Sequence, residues 1–268
     1  MTKHQLLMIH GMGESNSENE YGELEKRIRN KLYDPERFEF VRVEWQSITH
    51  NAEEKIYSVC LPNLNFVRKI EYVGPVRYFM TFYVGDIIAY SAEPASKNGI
   101  RKKVWSQIKG PCGTGPYSIL AHSLGSIIAF DYLFKLFVKK TFLWPGSAKV
   151  SSRKTLDRYT GNFRHMFTFG SPIGLFMLRQ GKLWLTEEPF GKIINPVPTG
   201  HEWLNFYDKQ DAVTYPLTDL FALNSANIGA PIRDIVVDTG DLIANSHTDY
   251  WFNDDMADQI ADVLNMNP

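Results

Sequence analysis

The feature that most constrains this chain is an apolar run across residues 117–130, interrupted once by a short turn of small and polar residues. Ile119 and Leu120 precede the turn, and the helix-forming apolar stretch 127–130 follows it. A short unbroken apolar run is typical of a strand that is buried on both faces. The pattern therefore predicts a buried strand, a sharp turn and a helix in direct succession.

The same alternation of buried strands and helices continues along the whole sequence. Strands are predicted at 6–9, 38–45, 117–121, 166–169, 203–207 and 235–237, and helices at 21–32, 100–108, 124–138 and 254–264. Strands that alternate with helices form a mostly parallel sheet with helices on its faces. The chain is therefore predicted to be a single α/β domain over residues 1–268.

Two stretches break this alternation and are predicted to be cap or lid insertions. Residues 51–100 are rich in aromatic side chains and contain Pro62, Gly74 and Pro75, so they are too long for a plain connection and too apolar for a linker. The tryptophan-bearing stretch 180–203 is the second insertion. Apolar walls of this kind suit an acyl chain, although packing within a cap accounts for the aromatic residues equally well.

The turn itself reads Ala121, His122, Ser123, Leu124, Gly125. A serine on a sharp turn between a strand and a helix is the nucleophile elbow of α/β-hydrolases, where small neighbours relieve a strained and crowded backbone. Ser123 is therefore the predicted nucleophile, with Ala121 in the place of the usual first glycine.

Ser171 is the rival serine, because it also follows a predicted strand. Pro172 comes directly after it and has no N–H, so it cannot complete an oxyanion hole at that turn. We therefore interpret Ser171 as a turn residue.

A serine hydroxyl is a weak nucleophile and needs a base, an acid that orients the base, and donors for the oxyanion. In this fold the order along the chain is serine, acid, histidine. His165 opens a predicted strand, and His201 precedes the segment that should carry the acid. His247 lies in a loop after the last predicted strand and is the predicted base.

Two carboxylates in the loop after strand 203–207 compete for the role of the acid. Asp211 lies deeper in this loop and is preferred, and Asp208 is the second candidate. The acid would hold the ring of His247 in one tautomer and stabilise the imidazolium.

The oxyanion hole needs one backbone N–H from the residue after the nucleophile and a second from the loop after an early strand. Leu124 supplies the first. Met12 supplies the second, because it lies in the glycine-rich turn 10–13 that follows strand 6–9. The turn is not a phosphate loop, since no Gly-Lys-Ser/Thr follows it.

Composition and charge argue against nucleic acid as a partner, against a cysteine metal site and against secretion or a membrane span. The formal net charge is -1, so no overall field attracts nucleic acid. Cys60 and Cys112 lie far apart, outside any metal-ligand spacing, and are predicted to be free thiols of a reducing compartment. The N-terminal apolar run is too short for a signal peptide, and the longest apolar stretch, residues 72–90, contains Arg77 and Asp86. A cytoplasmic protein that needs neither metal nor cofactor is predicted.

Residues 85–90, 121–126, 169–174 and 247–251 carry a likeness to a known family. They read Gly-Asp-Ile-Ile-Ala-Tyr, Ala-His-Ser-Leu-Gly-Ser, Phe-Gly-Ser-Pro-Ile-Gly and His-Thr-Asp-Tyr-Trp. In this order they resemble the lipases of the α/β-hydrolase superfamily, and most closely the catalytic part of the intracellular DDHD-type phospholipases A1. The likeness covers most of the chain from about residue 80 onward.

The resemblance implies Ser123 as the nucleophile and, through a His-x-x-Tyr-Trp pattern, His247 as the base. It favours Asp211 over Asp208, because residues 211–213 match the Asp-x-Val of that family. It also implies a small-molecule or lipid ester as the substrate and, for a lipid, peripheral contact with a membrane.

These observations predict a serine hydrolase that cleaves carboxylic esters through an acyl-enzyme. Two alternatives stay open. An acyltransferase or thioesterase would use the same three side chains, and acyl transfer to an alcohol in competition with water would distinguish it. A non-catalytic binding module on the same fold is the other alternative.

Overall fold

The structure is a computed structural model that describes residues 2–11, 17–48, 90, 94–140, 153–179, 194–222, 229–240 and 246–266. Within these residues the strands are β1 His4–Ile9, β2 Phe38–Val43, β3 Tyr117–His122, β4 Phe163–Phe169, β5 Glu202–Tyr207 and β6 Ile232–Val236. The α-helices are α1 Ser17–Lys31, α2 Pro94–Thr114, α3 Leu124–Leu133, α4 Arg153–Asn162, α5 Ile173–Arg179, α6 Thr218–Ala222 and α7 Asp254–Met266. A π-helical turn, Phe134–Val138, continues α3, and short 3-10 turns span Pro35–Arg37, Gln46–Ile48 and Asp249–Phe252.

The six strands form one sheet in the order β2-β1-β3-β4-β5-β6, and every neighbouring pair is parallel. This confirms the predicted fold class, a parallel sheet flanked by helices, and it is consistent with an α/β-hydrolase fold. The chain leaves β1 on one side to form β2 and returns on the other side to form β3. In open parallel sheets, ligands bind at the carboxyl ends of the strands where the strand order reverses in this way. Gly11 and Ser123 lie at that point, just beyond β1 and β3.

The core lies on both faces of the sheet, because alternate side chains of a strand point to opposite faces. Leu7 and Ile9 of β1 belong to the core that α2 and α3 cover. Leu6 and Met8 belong to the core that α1 and α7 cover. Strands that are buried on both faces need apolar residues throughout, which is why they appear in the sequence as unbroken apolar runs.

β4 begins at Phe163, three residues before the strand that the sequence predicts. Its pairing with β3 shifts in register, since Tyr117 pairs with Phe163 but Ile119 pairs with Met166. A residue inserted into one strand of a pair breaks the alternation of side chains. The first part of β4 therefore lacks the pattern by which strands are recognised.

The polar and basic stretch 139–162 contains none of the helices and strands that the sequence predicts and is interpreted from its composition as a surface loop. This interpretation is wrong in its second part, because α4 occupies Arg153–Asn162. This helix buries Tyr159, whose ring lies 5.4 Å from that of Trp105 in α2 and whose hydroxyl donates to the carbonyl of Lys109. One buried residue in ten gives too weak a period to indicate a helix.

The two predicted insertions fall mainly on residues 51–89, 91–93 and 180–193, which lie outside the described residues. Of the first insertion, Tyr90 is buried in the core and residues 94–100 form the start of α2. Of the second, Glu202 and Trp203 belong to β5, and Trp203 packs against Phe130 and Phe221 in the core. The C-terminal ends of both stretches are therefore part of the sheet and its helices.

Cys112 is a free thiol that is buried in α2, and burial raises its pKa. Cys60 lies outside the described residues. No helix in the described part of the chain is both long and apolar enough to cross a membrane.

A buried ion pair joins α2 to α3. Asp131 accepts two hydrogen bonds from the guanidinium of Arg101, at 2.9 and 2.8 Å, and a third from the hydroxyl of Tyr90 at 2.9 Å. The Asp131 side chain is 4% exposed and that of Arg101 is 13% exposed. A carboxylate so far from water depends on these donors for its stability.

We predict that Arg101→Met lowers the free energy of unfolding by about 3–5 kcal/mol, because it leaves the buried Asp131 carboxylate without its cation. Urea unfolding followed by circular dichroism measures this difference. Arg101→Met/Asp131→Leu should recover most of the loss. Arg233→Met is the control, since Arg233 and Glu202 lie 3.6 Å apart with side chains 51% and 36% exposed; we expect a change of about 0–1 kcal/mol there. Equal losses in the two single variants would contradict the prediction.

Candidate active site

Ser123 lies on a strained turn between β3 and α3. Its backbone angles are φ 53° and ψ −128°, and the residue is buried. A residue other than glycine costs about 1–3 kcal/mol in a sparsely populated backbone region, so the surrounding structure must hold it there. The Ser123 N–H donates to the carbonyl of Phe169 at 3.0 Å, and its carbonyl accepts the N–H of Ser126 at 2.9 Å. The hydroxyl of Ser126 donates to the same carbonyl at 2.5 Å.

The turn is also crowded, because β1 ends directly beside it. A Cβ on Gly11 would lie 2.2 Å from the Cβ of Ser123, and a Cβ on Gly125 would lie 2.3 Å from the carbonyl oxygen of Ile9. Neither distance is compatible with a side chain. The glycines at positions 11 and 125 therefore allow β1 and the start of α3 to approach the turn from its two sides.

Ser171, the rival serine, lies behind this turn. Its Oγ is 2.8 Å from Oγ of Ser126. Because the Ser126 hydroxyl already donates to the carbonyl of Ser123, the proton between the two serines must come from Ser171. Ser171 thus supports the turn that carries Ser123.

Ser123, His247 and Asp211 form a continuous chain of hydrogen bonds. Nε2 of His247 lies 3.0 Å from Oγ of Ser123, and Nδ1 lies 2.8 Å from Oδ2 of Asp211. All three residues are buried. The three come together because the carboxyl ends of β3, β5 and β6 lie on one edge of the parallel sheet, and each residue follows one of these strands. With a proton on Nδ1, the ring donates to the carboxylate and can accept the serine hydroxyl at Nε2.

Asp208, the second acid candidate, binds a different set of donors. Its Oδ1 accepts the N–H of Gln210 at 2.7 Å, and its Oδ2 accepts the N–H of Thr239 at 2.6 Å. Burial acts to raise the pKa of Asp208, but these hydrogen bonds outweigh it and hold the pKa below the ordinary value of 3.8. Asp208 ties the loop after β5 to the loop after β6, while Asp211 is the acid that bonds to the ring of His247.

Tyr250 is a residue of this site that the sequence did not single out. Its hydroxyl donates to Oδ2 of Asp211 at 3.1 Å and accepts the N–H of Asp208 at 2.8 Å. Burial and the nearby Asp211 carboxylate raise the pKa of Tyr250, so its hydroxyl stays protonated and remains a donor. The signal in the sequence is the His-x-x-Tyr-Trp pattern, and Tyr250 lies in the 3-10 turn that begins two residues after His247.

The end of β1 is held by four side chains around His10. Its Nε2 lies 2.7 Å from Oε2 of Glu20, its N–H donates to the hydroxyl of Tyr21, and its carbonyl accepts Nε1–H of Trp45. Its ring stacks on Trp251 at 5.2 Å, next to the turn that carries His247. The chain is therefore firmly placed where it leaves β1 for the glycine-rich turn.

Of the two predicted oxyanion donors, one lies in the described chain. Leu124 is buried and is the first residue of α3. The first N–H groups of a helix have no partner within the helix, and the helix dipole favours negative charge beside them. Met12 lies outside the described residues.

The described side chains include no group of three or more His, Cys, Asp or Glu residues that could hold a metal ion.

Comparison with solved structures gives several likenesses, one of them to an esterase domain. The chain is similar to the esterase domain of a Rhodothermus marinus protein, with 14% sequence identity and a TM-score of 0.38, over 98% of this chain and 84% of that one. No protein-family profile matches the sequence, and no curated protein matches it.

We predict that Gly125→Ala lowers the free energy of unfolding by about 1–3 kcal/mol, as overpacking does in a well-packed interior. The new Cβ would meet the carbonyl oxygens of Ile9 and His10 at 2.3 and 2.8 Å, and main-chain atoms cannot swing aside as a side chain can. Urea unfolding measures the change.

Gly161→Ala is the matched control, because a Cβ at Gly161 in α4 meets no atom within 4 Å. That substitution should stabilise the chain by less than about 1 kcal/mol. If the two variants were equally stable, the contact between β1 and the turn would be looser than the distances imply.

Proposed function

We propose that this chain is a serine hydrolase that cleaves carboxylic esters through an acyl-enzyme on Ser123. The observation that carries the proposal is the unbroken chain of hydrogen bonds from Ser123 through His247 to Asp211, with distances of 3.0 and 2.8 Å. A serine next to a histidine whose other ring nitrogen binds a carboxylate is the arrangement that activates a serine hydroxyl for attack on a carbonyl.

In the first half of the proposed reaction, Oγ of Ser123 attacks the carbonyl carbon of the ester while Nε2 of His247 takes the hydroxyl proton. The imidazolium that forms keeps its Nδ1–H bond to the Asp211 carboxylate, which stabilises the positive charge. The tetrahedral intermediate then breaks the bond to the alcohol oxygen, and Nε2 returns its proton to that oxygen. The products of this half are a free alcohol and an ester between the acyl group and Ser123.

In the second half, a water molecule takes the place of the alcohol. Nε2 of His247 removes a proton from the water as the water oxygen attacks the acyl carbon. The intermediate breaks the bond to Oγ of Ser123, and the proton returns to that oxygen. The acid product leaves and the serine hydroxyl is restored.

The negative charge that develops on the carbonyl oxygen needs donors that are already in place. We propose the N–H of Leu124 as the first donor, since Leu124 follows Ser123 at the start of α3. The N–H of Met12 is the second donor in this proposal, because Met12 follows the fixed end of β1.

The substrates that we propose are small-molecule or lipid esters, the class to which the lipase-like motifs point. A lipid ester would bring the protein into peripheral contact with a membrane. The reaction as written uses side chains and main-chain N–H groups of the protein together with water.

We predict that Ser123→Ala lowers kcat for p-nitrophenyl esters by at least about a thousandfold, because loss of a member of such a triad costs several orders of magnitude. Initial rates across acyl lengths from acetyl to palmitoyl, beside a phospholipid, give the measurement and the substrate preference. A parallel assay with an added alcohol separates hydrolysis from acyl transfer.

Ser171→Ala is the matched comparison, since it removes the rival hydroxyl two hydrogen bonds away from the Ser123 carbonyl. It should reduce kcat by less than about tenfold. Rates above about a thousandth of wild type in Ser123→Ala would overturn the assignment of the nucleophile.

The two acids give a second prediction. Asp211→Asn should lower kcat by about 10³–10⁴-fold, because an amide in that place no longer holds the ring of His247 in the productive tautomer. Asp208→Asn should lower kcat far less, by under about tenfold, since Asp208 holds loops together and does not orient the ring. A crippled Asp208→Asn beside an active Asp211→Asn would reverse the two roles.

The free energy of unfolding and its dependence on pH give a further test of the role of Asp208. Hydrogen bonds to a charged group contribute about 1.5–3 kcal/mol, so Asp208→Asn should lower the free energy of unfolding at pH 7 by about that amount. Because the pKa of Asp208 in the folded chain lies below 3.8, this stabilisation is present at neutral pH and is lost as the pH falls below that value. Unfolding curves of wild type and variant should therefore converge in acid.

A further inference from the structure

His122, the residue before the proposed nucleophile, carries a buried imidazole that the proposed reaction does not use. It is 3% exposed and lies among aromatic rings. Its ring stacks on Phe169 at 5.3 Å and meets the edge of Trp251 at 5.3 Å. The ring centre lies 5.1 Å from that of His247.

The two nitrogens of this ring differ in their surroundings. Nε2 lies 2.7 Å from the main-chain carbonyl oxygen of His247. A carbonyl oxygen only accepts, so Nε2 carries the proton and donates it. Nδ1 is buried and has no hydrogen-bond partner among the residues that the structure describes. A proton on Nδ1 would therefore be both buried and unpaired.

These surroundings keep His122 uncharged. Burial, and then the nearby rings of His247 and His10, hold the pKa of His122 well below its ordinary value of 6.5. A positive charge at His122 would also repel the imidazolium that His247 becomes during the proposed reaction. His122 is thus a neutral donor, and it has no accessible proton to exchange with a substrate.

Gly170 leaves the space that this ring occupies. Its φ is +57°, and a Cβ there would lie 2.9 Å from Nε2 and 3.0 Å from Cδ2 of His122. Only glycine combines that backbone conformation with so close an approach. The glycine of the Phe-Gly-Ser-Pro motif at the end of β4 is therefore required for packing, because it leaves room for the ring of His122.

We propose that His122 is a positioning residue, whose Nε2–H bond to the carbonyl of His247 fixes the main chain of the base at a set distance from Ser123. The inference rests on the proposed function of Ser123 and His247. The two side-chain bonds of His247 orient its ring, while main-chain bonds set the place from which the ring projects. The hydroxyl of Thr239 donates to the preceding carbonyl, that of Ser246, at 2.8 Å, and His122 donates to the carbonyl of His247 itself. The bond from His122 comes from the residue that adjoins the nucleophile, so it ties the base directly to the turn of Ser123.

The matched pair of variants is His122→Gln and His122→Met. The amide nitrogen of glutamine is as many bonds from Cα as Nε2 of histidine, so it can donate to the same carbonyl. Methionine has the same length and places a methyl group there. Glutamine also accepts no proton in the neutral pH range. Activity retained in His122→Gln would therefore exclude a role of His122 as a base.

We expect His122→Met to lower kcat for p-nitrophenyl butyrate by about a hundredfold with little change in KM, because a shift of about 1 Å in a catalytic group costs that much. His122→Gln should stay within about tenfold of wild type. The downfield proton resonance of Nδ1–H in His247 gives a second readout that does not depend on hydrolysis. It should persist in His122→Gln and be lost or broadened in His122→Met.

His4→Met is the control for general loss of stability. His4 is also 3% exposed, its Nε2 lies 2.9 Å from Oγ of Ser118, and its Nδ1 has no partner within the described chain. It begins β1 at the opposite end of the sheet, about 20 Å from the site at the usual rise per residue. His4→Met should destabilise the fold and leave kcat and the His247 resonance as in wild type.

The proposal is overturned if His122→Met is folded and keeps both kcat and the resonance. It is equally overturned if His122→Gln and His122→Met are folded and lose both to the same degree. If His122→Met does not fold, His122→Asn replaces it, since its amide stops one bond short of the carbonyl. A wild-type protein that hydrolyses no ester would defeat the proposed function, and the resonance in the same variants would still decide the role of His122.

Discussion

The whole site depends on the left-handed backbone of Ser123, with φ 53°. A turn of this kind is unfavourable for serine, at a cost of about 1–3 kcal/mol, and persists only where its neighbours allow no alternative. Hydrogen bonds from Ser126 and to Phe169 fix the peptides on both sides. β1 closes the remaining space, because Gly11 and Gly125 let it approach to within contact distance. The serine hydroxyl is thereby held in line with the ring of His247.

Behind the three central residues lies a layer of buried polar groups that joins loops far apart in sequence. Asp208 links the loop after β5 to Thr239 beyond β6, and Tyr250 links Asp208 to Asp211. His122 links the end of β3 to His247. Buried hydrogen bonds are stronger than those in water, and together these bonds restrain the arrangement of the loops. The position of each central side chain therefore depends on loops other than its own.

Two buried histidines lie side by side in this site and differ in what binds them. His247 has a carboxylate at Nδ1 and a hydroxyl at Nε2, so it can gain a proton and have the new charge stabilised. His122 has a carbonyl at Nε2 and aromatic rings around it, so it stays neutral and donates. The same side chain thus serves as the proposed base in one place and as a neutral donor in the other. A carboxylate beside His247 can stabilise a new charge there, whereas burial holds the pKa of His122 low.

The parallel α/β fold could be predicted from the order of the residues, since strands buried on both faces must be apolar throughout and are easily recognised. The sequence also singled out Ser123, His247 and Asp211, the residues that the structure joins by hydrogen bonds, because the turn and the order of the elements are local or sequential properties. The bulged start of β4, the helix α4 and the contacts of Tyr250 and His122 became visible in the folded structure. A register shift interrupts the alternation of side chains in β4. In α4 a single buried residue, Tyr159, is too few to reveal a helical period. The partners of Tyr250 and His122 lie 39 and 125 residues away in the chain, so the motifs that contain these two residues do not show what they bind.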